Sequence, residues 1–365
     1  MSSYLHPRAA VGNPKLTRPD WTVGQSRDPA KLWLDKNENI DPALSGVVTS
    51  VIRSLPAEAY FTYPETAALY AKLATSLGVE SKNLLLAAGS DGVIRSVFEA
   101  FVEAGDRVLI TKPTFAMYPV YSRMYGAEVH ELDYEPSNKG PYLDPQAVIA
   151  AILRLSPKLV CIPNPDSPTG TVFAEDAFRA IIAAAGQAGS LILVDEAYYP
   201  FYDKTVVPWI AEAPHLVVAR STGKAWGCAG LRLGYAIAAP QVATLLHKVR
   251  PMYECNTVAV FAFERLLDHQ DAMLASVHRL LDGKDRFLGA MEALGLRILR
   301  GHGNFLHVAF GEKAEAVHVA LADIVLYRKD FADPCLKGFS RFSSTTLEIF
   351  EPIIARISAT IQERE

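Results

Sequence analysis

Lys224 stands in the run Ala219-Arg220-Ser221-Thr222-Gly223-Lys224-Ala225-Trp226-Gly227-Cys228-Ala229-Gly230-Leu231-Arg232, directly after the apolar stretch His215-Leu216-Val217-Val218. An amine becomes a covalent, Schiff-base-forming catalyst when burial or a nearby cation lowers its pKa, because both disfavour the ammonium form. Small residues around Lys224 leave room for a bulky planar group, and Arg232 is a cation able to neutralise a phosphate. A lone lysine after a strand is ordinarily a surface residue. The chemistry therefore rests on what else the chain supplies.

Asp195 closes the apolar run Leu191-Ile192-Leu193-Val194. It reads either as a helix N-cap or as the partner of a protonated ring nitrogen, which a carboxylate keeps cationic and electron-withdrawing. Tyr198 follows within reach of a ring hydroxyl oxygen. Leu86-Ala87-Ala88-Gly89-Ser90-Asp91-Gly92 reads as strand, glycine turn and helix start, where backbone N–H groups and the helix dipole favour an anion. Gly89, Ser90 and Asp91, with Ser221 and Arg232, would surround one phosphate. Phe115, in Pro113-Thr114-Phe115, fills a core or stacks on a flat ring. Asn164-Pro165-Asp166-Ser167-Pro168-Thr169-Gly170 is a rigid turn by composition and would form one wall of the site. Pyridoxal 5'-phosphate is the group that needs an amine anchor, a ring-nitrogen carboxylate and a phosphate cup together.

Each motif follows a short apolar run, and those runs must be the elements that position it. Segments 84–87, 107–110, 128–132, 159–162, 191–194, 216–218 and 233–237 read as strands, with helical patterns at 92–104, 144–155 and 174–188. Alternation of this kind predicts an α/β fold with a mainly parallel sheet flanked by helices, and ligands then bind beyond the carboxyl ends of the strands. Residues 1–45 are expected to form an N-terminal arm that packs on a partner subunit and joins a smaller domain. Residues 46–250 are expected to form the large cofactor-binding domain. A smaller α+β domain is expected over 251–365, with a long helix at 257–293 and a closing helix at 346–362.

Half of the 365 residues are hydrophobic and 21% are charged, with a net charge of −4, the profile of an ordinary globular protein. No basic face for nucleic acid and no membrane-length apolar run is read from it. The start Met1-Ser2-Ser3-Tyr4-Leu5-His6-Pro7-Arg8 lacks the apolar core of a signal peptide, so a cytoplasmic location is expected. Cys161, Cys228, Cys255 and Cys335 show no paired zinc spacing and read as free thiols; no metal is expected.

Taken in order, Gly89-Ser90-Asp91, Phe115, Asn164 to Gly170, Asp195 to Tyr198, and Ser221 to Arg232 resemble the fold-type I pyridoxal phosphate aminotransferases, and most of all the histidinol-phosphate aminotransferase family. The likeness runs from Leu34-Asp35-Lys36-Asn37-Glu38-Asn39 to Arg341. It implies that Lys224 carries the cofactor, Asp195 pairs with the pyridine nitrogen and Tyr198 binds the ring oxygen. Arg232, Ser221, Ser90 and Asp91 would hold the phosphate, with Asn164 and Ser167 beside the ring. Tyr63 would reach the neighbour's phosphate across a homodimer, and Arg341 and Arg328 would bind the substrate's anionic group. The chain departs from the family at Ser167, usually Asn; at Gly223, usually Ser; and at Phe115, usually Tyr.

The resemblance implies a ping-pong transfer of an amino group from a phosphorylated amino alcohol such as histidinol phosphate, or from an amino acid, to a 2-oxo acid such as 2-oxoglutarate. A decarboxylase of phosphorylated amino acids keeps the same core motifs and is the alternative. A cofactor-sensing regulator is a third reading, but no DNA-binding segment is recognised in the chain.

Overall fold

The computed structural model describes residues 7–18 and 26–363; the very N-terminus and residues 19–25 of the expected arm lie outside the described residues. Twelve strands are formed: β1 (Leu32–Trp33), β2 (Leu84–Ala87), β3 (Arg107–Lys112), β4 (Glu128–Asp133), β5 (Leu159–Pro163), β6 (Leu191–Asp195), β7 (Leu216–Ser221), β8 (Gly234–Ala238), β9 (Arg297–Leu299), β10 (Phe305–Ala309), β11 (Val325–Leu326) and β12 (Ser340–Ser343). Strands β2, β5, β6 and β8 are buried at every position, which is why their sequences are continuously apolar rather than alternating.

Seven strands make the main sheet in the order β2-β8-β7-β6-β5-β3-β4. β3 to β7 pair in parallel, and β8 runs antiparallel between β7 and β2. Alternate residues of each strand enter opposite layers. Leu86, Ile162, Ile192, Val194 and Val218 join one core, while Leu85, Val108, Cys161, Leu193 and Val217 join the core on the other face. This is the expected α/β architecture.

A second sheet, β12-β10-β9, is antiparallel and has its own core of Phe287, Phe342, Phe350, Ile353 and Ile357. The helix Gln270–Ala293 runs between the two regions, with Met273, Val277 and Leu280 in the first core and Phe287, Leu288 and Met291 in the second. The helical stretch expected over 257–293 is thus broken. Thr257–Leu266 and Gln270–Ala293 are joined by a tight turn at Leu267–His269, where Asp268 pairs with Lys72 at 2.6 Å. The helix expected from residue 92 starts instead at Gly89, whose φ of +79° makes the turn out of β2 abrupt.

Within the arm, Ala9–Gly12 forms one helical turn beside the helix Met117–Met124 of the same chain, and Leu16 packs on the core beneath it. Further on, β1 pairs in parallel with β11. All four cysteines are buried and free. Among the described residues no helix is long and apolar enough to cross a membrane, and no group of His, Cys, Asp and Glu is arranged to hold a metal ion.

Candidate active site

The carboxyl ends of β3, β5, β6 and β7 meet at one edge of the main sheet, and two successive antiparallel pairings through β8 turn β2 to the same direction. That edge gathers Phe115 after β3, Asn164 after β5, Asp195 at the end of β6, Ser221 at the end of β7 and Gly89 after β2. Gly234, the first residue of β8, pairs with both Ala87 and Ser221, so the turn at Arg232 lies beside the turn at Gly89.

The two turns press against each other at Gly89 and Gly234. Arg232 adopts the left-handed conformation at φ +53° and donates from Nη2 to the Ala88 carbonyl at 3.4 Å. A Cβ on Gly89 would sit 2.9 Å from that same nitrogen. A Cβ on Gly234 would collide with the carbonyl carbon of Gly89 and lie 2.5 Å from the Ser90 nitrogen. Gly234→Ala is therefore expected to destabilise the protein by about 1–3 kcal/mol, as overpacking does, because only backbone can yield there. Denaturant midpoints check it; an unchanged midpoint would show that the turn relaxes freely.

Two neighbouring side chains from adjacent strands lock this edge. Glu196 and Arg220 form a buried ion pair at 2.8 Å, with Glu196 also accepting from Thr205 Oγ1 and the Val206 N–H. Since successive strand residues point to opposite faces, pinning Glu196 and Arg220 on one face fixes Asp195 and Ser221 on the other. Neither member of the pair stood out in the sequence.

Asp195 is buried, with Oδ1 accepting the Ala197 N–H at 2.9 Å and Oδ2 accepting the Tyr118 hydroxyl at 3.1 Å. Burial raises its pKa to about 6 despite these donors, and among the described residues no arginine, lysine or histidine forms an ion pair with it. It is a carboxylate positioned for a positive partner. Tyr118 went unnoticed in the sequence, where it read only as one more aromatic near Phe115.

Lys224 is half-buried, and its Nζ donates to the Lys36 carbonyl at 2.9 Å and lies 5.7 Å from the centroid of the Tyr198 ring. Desolvation first, then the charges of Arg341 and Arg232, lower its pKa to about 8, while Glu38 and Asp195 oppose the shift. Relative to an ordinary lysine at 10.5, this enlarges the free-amine fraction at neutral pH by roughly 10²-fold or more. Tyr198 is buried, its hydroxyl accepting from Asn37 Nδ2 at 2.9 Å. The segment Asp35 to Asn39 thus lies over the lysine. It is held by Asn304, whose Nδ2 donates to the Asn37 carbonyl, and by Asn39, whose Nδ2 donates to the Ala225 carbonyl.

Arg341 arrives from β12 of the second sheet and is only 8% exposed. One Nη donates to the Asp35 carbonyl at 3.0 Å while Nε has no partner among the described residues, so a buried cation is left with donors free. Burial and the charge of Arg328 lower its pKa to about 10, with Tyr198 and Asp35 acting the other way. The two arginines are paired through their backbones, but the Arg328 side chain is exposed and folds over the Phe331 ring at 4.1 Å. Tyr63 is 70% exposed and stacks on Tyr253 at 4.1 Å, outside the buried set around Lys224. Phe115 meets Tyr118 edge-on at 6.0 Å. Asn164 is buried, with no partner for Oδ1 among the described residues, and Asp91 accepts the Tyr121 hydroxyl at 3.1 Å. Ser221 Oγ accepts the Gly223 N–H at 3.0 Å. Ser167 is among the groups that hydrogen-bond Tyr198.

Residues 29–357 match the family model for class I and II aminotransferases. The chain is 31% identical to a histidinol-phosphate aminotransferase of Caldanaerobacter subterraneus subsp. tengcongensis over 84% of its own length and 86% of the relative's. It is 34% identical to a histidinol-phosphate aminotransferase of Burkholderia mallei over 73% of each chain. Its fold matches the crystal structure of a histidinol-phosphate aminotransferase from Sinorhizobium meliloti in complex with pyridoxal 5'-phosphate, with a TM-score of 0.78, 23% identity and 91% of each chain covered. With nine-tenths of its length inside the family model and an amine, a carboxylate and an anion cup at one sheet edge, the chain belongs to the class I and II aminotransferases.

Proposed function

We propose that this aminotransferase uses pyridoxal 5'-phosphate carried on Lys224 to move an amino group from a phosphorylated amino alcohol such as histidinol phosphate to a 2-oxo acid such as 2-oxoglutarate, by a ping-pong sequence. The observation that carries this reading is that the Lys224 amine lies close enough to both the buried Asp195 carboxylate and the buried Arg341 guanidinium for the charge of each to act on it.

The residues present suit the cofactor. The helix start at Gly89 to Asp91, with Ser221 and Arg232, offers N–H, hydroxyl and guanidinium donors for a phosphate. Asp195 offers an uncompensated carboxylate for the ring nitrogen, and Asn164 and Tyr198 supply buried polar atoms for the ring oxygen, with Ser167 beside them. When bound, the group supplies a pyridinium ring that draws electrons from the substrate carbon. Lys224 would anchor it, and its Nζ would serve as the base that takes the proton from the donor's carbon. Asp195 holds the ring nitrogen protonated throughout. Asn37 fixes the Tyr198 hydroxyl, and the Asp35 to Asn39 segment shields the lysine from water.

Arg341 supports an anionic donor group, since a desolvated guanidinium with a free Nε binds oxyanions strongly. Arg341→Gln is expected to raise the KM for a phosphorylated or carboxylated substrate by about 10²-fold with a smaller change in kcat. Steady-state kinetics check this; an unaltered KM would remove Arg341 from substrate binding. Tyr63 and Tyr253 stack at the surface, with Tyr60, Phe61 and Met252 exposed next to them in sequence, and this exposed apolar surface supports a homodimer in which Tyr63 reaches the partner's phosphate.

The substrate assignment is tested by adding histidinol phosphate, aromatic amino acids and O-phospho-amino acids separately to the loaded enzyme. Loss of the cofactor's lysine-bound absorbance with histidinol phosphate, restored by 2-oxoglutarate, is expected. Carbon dioxide release without an acceptor would replace the reading with decarboxylation.

A further inference from the structure

Asp166 is a fully buried carboxylate that the proposed chemistry leaves without a task. Its Oδ2 accepts the Thr111 hydroxyl at 2.7 Å and the Tyr134 hydroxyl at 3.0 Å, and its Oδ1 accepts the Thr114 hydroxyl at 3.1 Å. The Ser167 N–H adds a further favourable contact. Its backbone is closed on its own loop, with the Asp166 N–H donating to Thr171 at 2.9 Å and the Gly170 N–H donating to Asp166 at 2.7 Å. Hydroxyls and loop backbone, rather than a cation, hold the charge, and burial still raises the pKa to about 7.

The placement of the donors shows what the carboxylate joins. Thr114 precedes Phe115, the candidate ring-stacking residue, in the loop after β3. Asp166 lies between Asn164 and Ser167, in the loop after β5. Thr111 lies in β3, and Tyr134, just past β4, is tied to the end of β3 by its N–H on the Lys112 carbonyl. The carboxylate therefore has one oxygen tied to the sheet and the other tied to the Phe115 loop. On this geometry, and on the reading of the site given above, we propose that Asp166 is a positioning residue: it sets the Phe115 loop at a fixed distance from the Asn164 to Ser167 wall, and so the fit of the slot around the cofactor ring.

A purely structural role and a positioning role separate by which donor matters. Thr114→Val removes only the tie to the Phe115 loop, whereas Thr111→Val removes an equivalent donor on the sheet side. Thr114→Val is expected to raise the dissociation constant of pyridoxal 5'-phosphate for the apoprotein about tenfold, the size of one lost hydrogen bond to a charged group. It should also weaken the induced circular dichroism of the bound ring. Competition by inorganic phosphate, which reports the cup alone, should stay within about twofold, and Thr111→Val should change the dichroism far less. Asp166→Ala should exceed Thr114→Val in the same direction, and Thr114→Ser, which keeps the hydroxyl, should restore wild-type dichroism. Equal dichroism changes in Thr114→Val and Thr111→Val would mean a general packing effect and overturn the proposal, as would a Thr114→Val variant indistinguishable from wild type. Wild-type apoprotein that does not take up pyridoxal 5'-phosphate would instead overturn the reading of the site on which the proposal stands.

Discussion

Replacing Lys224 by alanine is expected to lower turnover by roughly 10⁴-fold or more, because one side chain supplies both the covalent anchor and the base that moves the proton. The fold should survive the change. Among the described residues the Lys224 side chain makes one hydrogen bond, to the Lys36 carbonyl, and its ammonium is disfavoured where it sits by desolvation and by Arg341. On the proposed reading Gly89, Ser90, Ser221 and Arg232 hold the phosphate, so the alanine variant should still hold the cofactor without a covalent link. An added small amine should then recover part of the activity by replacing the missing base. Lys224→Arg should not, since a guanidinium stays protonated at any working pH. Turnover within tenfold of wild type in the alanine variant would end the assignment.

Asp195→Asn is expected to lower turnover by about 10³-fold and at the same time to stabilise the apoprotein above pH 6. The activity loss follows because an amide cannot hold a ring nitrogen protonated. The stability gain follows from linkage. Burial raises the folded-state pKa of Asp195 from 3.8 to about 6, so between those values the folded chain binds more protons than the unfolded one. Stability contributed by this group is complete below the unfolded pKa and is lost as pH rises through the folded pKa. Above about pH 6 the wild-type apoprotein keeps a buried carboxylate charged with only the Tyr118 hydroxyl and the Ala197 N–H to offset it. Thermal unfolding of both apoproteins from pH 4 to pH 8 should give Tm curves that separate as pH rises, with the variant higher. Parallel curves would show that Asp195 is not under desolvation strain, and the argument that it awaits a cationic partner would lose its basis.

Much of this was legible in the sequence because it is local. A continuous apolar run such as 191–194 can only be a strand covered on both faces, and a glycine directly after such a run marks the turn where a helix begins. Asp195, Lys224, Gly89 and Arg232 were readable because each stands at such a junction. What the sequence did not disclose is made by contacts between distant segments. Asn37 reaches Tyr198 across 161 positions, and Tyr118 reaches Asp195 across 77, with no periodicity to announce either. Asp166 read as turn composition, and its burial emerged only once Thr111, Thr114 and Tyr134 closed around it. Arg328 shows the converse. The family resemblance placed it near Arg341, and the two are paired through backbone, yet an arginine's reach is set by its rotamer, and this one lies over Phe331 at the surface.

The central claim is that Lys224, among all the lysines of the chain, forms the covalent bond to the cofactor. Loading the protein with pyridoxal 5'-phosphate, reducing it with sodium borohydride and mapping the modified peptide by mass spectrometry tests this directly. A single pyridoxyl adduct on Lys224, formed with an apparent amine pKa near 8, is the expected result. An adduct at Lys284, a buried lysine whose pKa is also lowered to about 8, at a surface lysine, or at no lysine would contradict the account.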